Sequence, residues 1–390
     1  MRRSGRFRPL LGWMAATVVL VGSLACFPAL AAALGGFLGK AAAASAMLQL
    51  PEGGIAYLQN RFRDDLAQDE PDPEPKPPPA ESVSSSEAAP SSQAESHTQA
   101  PAESEVPIPQ TPQSPSIEVI APENRGTITE KTFTADQGSL YIPLAAGYIR
   151  NSTGLSNQQV ASILAQPMDL ALEPGDQPQV LIVHTHATES FEPFDRDFCD
   201  TSFTWRSTDN SQNVVYLGDI LASQLEQAGI GVLHDATQHD YPSYNGSYER
   251  SAATIRKWLK EYPSIKVVID LHRDAIESPA GNLIKPVAVI NGEKTAQVMI
   301  ISGCDDGTMN MPDWGRNLRW AAALQSTAEA MYPGLTRPVF FCYRKYNMDL
   351  TGGSLLIEFG SHGNTLEEAA RAAEFMGKAM AKTLLETLPE

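Results

Sequence analysis

Cysteine is scarce in this chain, and the four present are far apart: Cys26, Cys199, Cys304 and Cys342. None has a C-x-x-C partner, which argues against a cysteine-built structural zinc site. A chain of 390 residues buries a core large enough to stand without disulfide staples. Sparse cysteine fits an exported bacterial protein of that size. Basic residues are also in deficit: Lys and Arg number 29 against 46 Asp and Glu, a formal net charge of -17. No nucleic-acid partner is expected, because such a partner asks for a basic face. Two stretches lack something more specific. Residues 9–39 carry no charge, and residues 68–116 hold hardly any large apolar side chain.

The uncharged run follows Arg2, Arg3, Arg6 and Arg8. About 30 mostly apolar residues cross a bilayer core with length to spare. Basic residues before it and acidic ones after it predict a cytoplasmic tail at 1–8, a transmembrane anchor at 9–39 and the rest outside. A cleaved signal peptide is the rival reading, since Ala29-Leu-Ala-Ala-Ala33 offers small-residue sites. The run is longer than a usual signal core, which favours the anchor. Residues 40–67 read as a juxtamembrane segment with Leu48, Leu50, Ile55, Leu58 and Phe62 as its apolar positions. Residues 68–116 are Pro, Ser, Glu, Ala and Gln. They bury too little surface to offset their ordering entropy, so a disordered tether is expected.

The folded region begins near Ile117. Residues 117–178 read as short strands, turns and one helix from Ser156 to Leu164; residues 179–390 read as the main catalytic domain. There, apolar runs alternate with helical periodicity. Strands are expected at Val180–His184, Ile230–His234, Ile265–Leu271, Val287–Ile290, Val298–Ser302 and Ser354–Phe359. Helices are expected at Asn213–Ala228, Ser247–Glu261, Trp314–Met331 and Thr365–Leu385, with Asn364 as a cap for the last. Such alternation predicts a three-layer α/β/α domain on a mostly parallel sheet, whose strand ends are where ligands bind.

Chemistry-bearing residues gather at those strand ends. The first strand runs into His184-Thr-His186, with Glu189 three residues on. Residues two apart on a strand share a face, and neutral imidazole is a common zinc ligand. His184, inside the strand, reads better as a hydrogen-bonded structural residue. Glu189 reads as a ligand, as an orienter of the adjacent histidine, or as a loop carboxylate. His272 ends an apolar run among Asp270, Arg273 and Asp274. Arg273 is a candidate to stabilise an oxyanion or clamp a substrate carboxylate; the alternative is an ion pair with an aspartate that fixes the loop. Glu358 lies among apolar neighbours, where a carboxylate is costly unless paired or functional. Burial raises such a carboxyl toward the range of a general base. His239, Asp240, Tyr244 and Tyr248 belong to a loop that reads as ligand- or substrate-binding, and His362 as a border of the cleft.

Five segments together carry a resemblance: Val183-His-Thr-His-Ala-Thr-Glu-Ser190, Asp240-Tyr-Pro-Ser-Tyr-Asn-Gly-Ser-Tyr248, Val268-Ile-Asp-Leu-His-Arg-Asp-Ala275, Gly292-Glu-Lys-Thr-Ala-Gln-Val298 and Leu355-Leu-Ile-Glu-Phe-Gly360. They resemble the stage II sporulation protein P family of spore-forming Firmicutes, itself similar to the zinc-dependent N-acetylmuramoyl-L-alanine amidases. The resemblance implies an amidase-like α/β/α fold, a Zn2+ cofactor and a peptidoglycan substrate. It also implies a place at the sporulation septum, a second cut in peptide cross-links, and partners in a septal lytic transglycosylase and a polytopic membrane protein. In such amidases two histidines and a glutamate hold the metal, and a second glutamate ends the last strand. His186, His272 and Glu358 take three of these roles. The usual ligand glutamate at the start of the first helix is replaced by Asn210-Ser-Gln-Asn213. Glu189 stands in for it, with His184, Asp209 and Asp240 as the other candidates. Two readings compete with the enzyme: a wall-binding scaffold of the same fold that has lost catalysis, and an exported metal-dependent hydrolase of another amide.

Overall fold

The computed structural model describes residues 106–388, apart from 113, 137, 174 and 176. The expected tail, anchor and juxtamembrane segment, and most of the linker, lie outside the described residues. Among the described residues, no helix is long and apolar enough to cross a membrane. The elements are, in order, β1 Arg125–Lys131, β2 Tyr141–Pro143, β3 Tyr148–Asn151, α1 Asn157–Leu164, β4 Val180–Val183, β5 Phe198–Asp200, α2 Val214–Gln227, β6 Val232–His234, α3 Ser247–Glu261, β7 Val267–Asp274, β8 Leu283–Ile290, β9 Glu293–Ala296, β10 Val298–Gly303, α4 Trp314–Met331, β11 Val339–Cys342, β12 Ser354–Ser361 and α5 Leu366–Leu385. The helices α3 and α4 have the expected bounds. The short strands β5, β9 and β11 have no counterpart in the sequence reading.

An eight-stranded sheet in the order β2-β3-β11-β10-β12-β7-β4-β6 forms the centre. It is mixed rather than uniformly parallel: five of its seven strand pairings are parallel. The pairs β2–β3 and β10–β12 are antiparallel, while β4, β6, β7 and β12 run parallel to one another. A four-stranded sheet, β5-β1-β8-β9, stands beside it.

Strand alternation sorts the residues of the central sheet onto two faces. Val180, Ile182, Ile269, Leu271, Leu355, Ile357 and Phe359 enter one core with apolar residues of α1, α2, α4 and α5. Leu181, Val183 and Val268 turn to the other face and meet Ile255 and Trp258 of α3. Further along that second face, Ile301, Cys342 and Leu356 pack against Met311 and Met348 from two loops. Among the described residues, α3 is the helix laid on this second face; loops and Trp314 at the start of α4 cover the rest.

The caps follow local chemistry. Ser156 and Gln159 form a capping box on α1. Asn213 accepts the Val215 N–H at the start of α2. The cap of α5 is Thr365 in a capping box with Glu368, not Asn364. Asn364 instead accepts the Ser361 N–H and donates to Glu368.

Contacts with the core reach into the expected tether. Val106 and Ile108 pack on the main core. The Tyr216 hydroxyl donates to the Pro107 carbonyl, and Thr111 donates to Glu367 through both its N–H and its hydroxyl. Two apolar side chains and these bonds order a segment that composition alone assigns to the tether. The three cysteines of the described residues, Cys199, Cys304 and Cys342, are buried thiols.

Candidate metal centre

Beyond Val183 the chain leaves the strand and turns, so His184 and His186 do not share a face as expected. His184 stays in line with Ile182. It lies buried with Nε2 2.8 Å from Nε2 of His234 and Nδ1 3.1 Å from the Leu271 carbonyl. Burial, with His234 beside it, lowers its pKa to about 3. The turn swings His186 to the side of α3, where Nε2 lies 3.1 Å from the Ser247 hydroxyl. Burial lowers the His186 pKa to about 3 as well, so its imidazole is neutral.

His272 arrives from β7, inside the strand rather than at its end. Alternation puts it on the loop-covered face with Asp270 and Val268. Its Nε2 lies 2.9 Å from Asp270 Oδ1, a contact of charge rather than a straight hydrogen bond. Asp270 is itself fixed by the N–H and hydroxyl of Thr185, at 2.8 and 2.6 Å. Glu189 closes the group: Oε1 is 3.7 Å from Nδ1 of His186, and Oε2 is 3.5 Å from Nδ1 of His272. One ligand atom from each of His186, Glu189 and His272 lies within 4.8 Å of the others, and all three residues are buried. The imidazole rings cross at 81° with centroids 5.1 Å apart.

Electrostatics couple the three. Burial would lower the pKa of His272, but the carboxylates of Asp270 and Glu189 outweigh it and hold the imidazolium well above its usual range. Burial would raise Glu189; the bond to His272 and the charge of Arg273 override this and keep it ionised far below the usual carboxylate range.

Glu358 on β12 is the ladder neighbour of His272, and the two point to the same face. Its Oε2 is sealed from solvent and has no hydrogen-bond partner. Burial, reinforced by the charge of Asp274, pushes its pKa up to about 8. Just beyond it the β12–β7 register slips between Glu358 and Ser361, where Gly360 takes a φ of 68°.

The remaining candidates fall elsewhere. Asp209 is exposed and bonds the N–H and hydroxyl of Ser211. Asp240 is spent on Thr188 and on Arg206 Nη1 at 2.8 Å. His239 bridges the His184 carbonyl and Thr254. Arg273 does not offer the free guanidinium expected of an oxyanion or carboxylate clamp. It is buried, and it donates to the carbonyls of Ser190 at 2.9 Å and Trp205 at 3.0 Å. Its backbone N–H donates to Glu189 Oε2 at 3.1 Å, so it braces the loop that carries Glu189. Its contact with Asp274 is to the backbone carbonyl, at 3.5 Å, while the Asp274 carboxylate is held by Arg337 at 2.7 Å. His362 is buried near Trp205, with Nδ1 unpartnered.

Sequence reasoning misses Ser247, the partner of His186, and the part played by Asp270. A signal for Asp270 exists: two residues before His272 on a strand, it has to share that face.

A match to a curated relative, the stage II sporulation protein P of Bacillus subtilis (strain 168), is 31% identical over 234 residues; it covers 57% of this chain and about half, 55%, of the relative's length. Among solved structures, the N-acetylmuramoyl-L-alanine amidase AmiC2 of Nostoc punctiforme aligns at 12% identity and a TM-score of 0.31, over 55% of this chain and 98% of that one. The amidase Ami1 of Mycobacterium abscessus aligns at 12% identity and 0.33, over 55% and 99%. Scores of this size do not establish a shared fold. The model of the stage II sporulation protein P family matches residues 60–381, a span that contains every residue of the cluster described above. The chain belongs to the stage II sporulation protein P family.

Proposed function

We propose that this chain is a membrane-tethered, zinc-dependent peptidoglycan hydrolase that cleaves the amide between the lactyl group of N-acetylmuramic acid and L-alanine. The observation that carries this reading is the convergence of His186, Glu189 and His272, with Glu358 in register beside His272. Two imidazoles and a carboxylate are a familiar donor set for a catalytic zinc with one open position. The local geometry fits that ion. Both histidines turn Nδ1 toward Glu189, while their other nitrogens meet Ser247 and Asp270. Outer partners of this kind orient ligating imidazoles and fix their tautomers.

When bound, zinc would supply a Lewis acid that polarises the carbonyl and eases deprotonation of water. The chain's own groups do the rest. Glu358 accepts the proton of the attacking water and later delivers it to the leaving amine of L-alanine. A carboxyl lifted to about 8 holds that proton readily between the two steps. A divalent charge nearby would draw that value down toward neutrality. Asp270 and Ser247 orient the histidines, and Arg273 holds the loop that presents Glu189.

The family supplies the proposed setting: septal wall thinned during spore engulfment, with a septal lytic transglycosylase and a polytopic membrane protein as partners. Residues 9–39 serve as the anchor in this reading. Metal analysis together with digestion of purified sacculi tests it. The expected result is about one zinc per chain and release of peptides with L-alanine at the amino end. Sacculi left intact by zinc-loaded protein, or fragments cut only elsewhere, would count against it.

A further inference from the structure

Two segments bring three tyrosines to one flank of the cluster. Tyr244, from the loop before α3, stacks on the His186 ring at 4.6 Å and 19°. Tyr248, in the first turn of α3, meets the same ring edge-on at 5.5 Å. Tyr346, from the loop after β11, stacks on Tyr248 at 5.3 Å and 19°.

Both loops are braced. The Arg250 guanidinium donates to the carbonyls of His239, Ser243 and Asn245, which fixes the loop bearing Tyr244. In the other loop Tyr346 and Asn347 both take left-handed φ values, 42° and 56°. That conformation costs energy in a non-glycine residue and persists where surroundings enforce it, often at ligand sites. Here the Asn347 amide enforces it, donating at 2.9 Å to both the Tyr248 carbonyl and the Ser251 hydroxyl. Despite this bracing Tyr244 remains 42% exposed. Rigid, partly exposed tyrosines supply contact area at low entropic cost, with an apolar face and a polar tip.

We propose that Tyr244, Tyr248 and Tyr346 form the subsite for a pyranose ring of the glycan strand. This rests on the amidase reading and extends it: the sugar side of the scissile bond lies on the tyrosine flank, and the peptide leaves on the other. Chemistry separates the two arms. A pyranose offers a face of C–H groups ringed by hydroxyls, which matches an aromatic face and a phenol. A stem peptide of small and charged residues asks for cationic clamps instead. The cations at this flank are already committed. Arg206 serves Asp240 and Thr188, lies 3.9 Å from Glu189 Oε1 and covers the Tyr244 ring at 5.1 Å from its centroid; Arg250 serves three carbonyls, and Lys345 serves the Met309 carbonyl and Asp349.

The test is calorimetric titration of the purified full chain with peptide-free oligomers of alternating N-acetylglucosamine and N-acetylmuramic acid, run in parallel with muropeptide digestion. The wild-type chain should bind the oligomers with or without zinc. Tyr244→Ala and Tyr346→Ala, on separate loops, should each weaken binding at least about tenfold, whereas Tyr244→Phe should stay within about threefold. Absence of binding by the wild-type chain, or equal binding by the alanine variants, overturns the subsite. The amidase reading fails by a different sign: glycan bound normally while no L-alanine-terminated peptide is released.

Discussion

One face of the central sheet lies under α1, α2, α4 and α5, and there β7 and β12 present Ile269, Leu271, Leu355 and Ile357. The other face of the same two strands presents Asp270, His272 and Glu358, with α3 laid on it and loops and the start of α4 over the rest. Neighbouring residues of one strand thus serve different ends. The helix-covered face buries apolar surface and holds the fold. The loop-covered face leaves room for a cleft and accepts polar groups that a packed core would reject. Leu271 and His272 are adjacent in the chain, and the account requires that they respond to substitution in different measurements.

The largest contrast is between those two. His272→Ala should abolish zinc retention and hydrolysis with the fold largely kept, read by elemental analysis and thermal melting. Leu271→Ala should keep the metal but lose about 2–5 kcal/mol of stability in denaturant titration. Equal loss of stability in both variants would erase the division between the faces. Next in size is Glu358→Gln, which should lower turnover by about 10²–10⁴-fold while zinc content stays near one per chain. Loss of zinc in that variant would make Glu358 a ligand and move the search for a base to Glu189.

Asp270→Asn comes third, with zinc affinity reduced by about 10–100-fold, measured by competition with a chelator. The same contact predicts a proton linkage. His272 is held as an imidazolium in the metal-free protein, and it must lose that proton before its nitrogen binds zinc. Zinc affinity should therefore fall as pH falls, and binding at neutral pH should release protons, seen as a dependence of the binding heat on the buffer. The smallest effect belongs to the helix-covered side. Thr365→Ala removes the cap of α5 and should cost about 1 kcal/mol, with zinc content and turnover unchanged.

Much of this contrast is legible in the sequence, and particular residues show why the rest is not. Period-two alternation is local, so the residues of β7 and β12 alone declare which side chains share a face. His272 and Glu358 stand out for that reason. His184 and His186 mislead because the same rule does not extend past Val183, where the strand has already ended. Spacing cannot separate the ligand alternatives Asp209 and Asp240 from Glu189. Arg206 and Thr188 claim Asp240, and the Arg273 N–H positions Glu189, through contacts that cross dozens of residues. The antiparallel pairing of β10 with β12 is hidden for a like reason: α4 and β11 lie between them in the chain. Tyr346 is equally hidden, since nothing near it in sequence points to Tyr248.

The most direct test of the central claim is an anomalous diffraction map of the zinc-loaded protein, collected at the zinc edge. The account predicts one strong peak between His186, Glu189 and His272, at about 2.0–2.2 Å from a ligand atom of each. A peak at the His184–His234 pair, or zinc bound without one of the three residues, would contradict it.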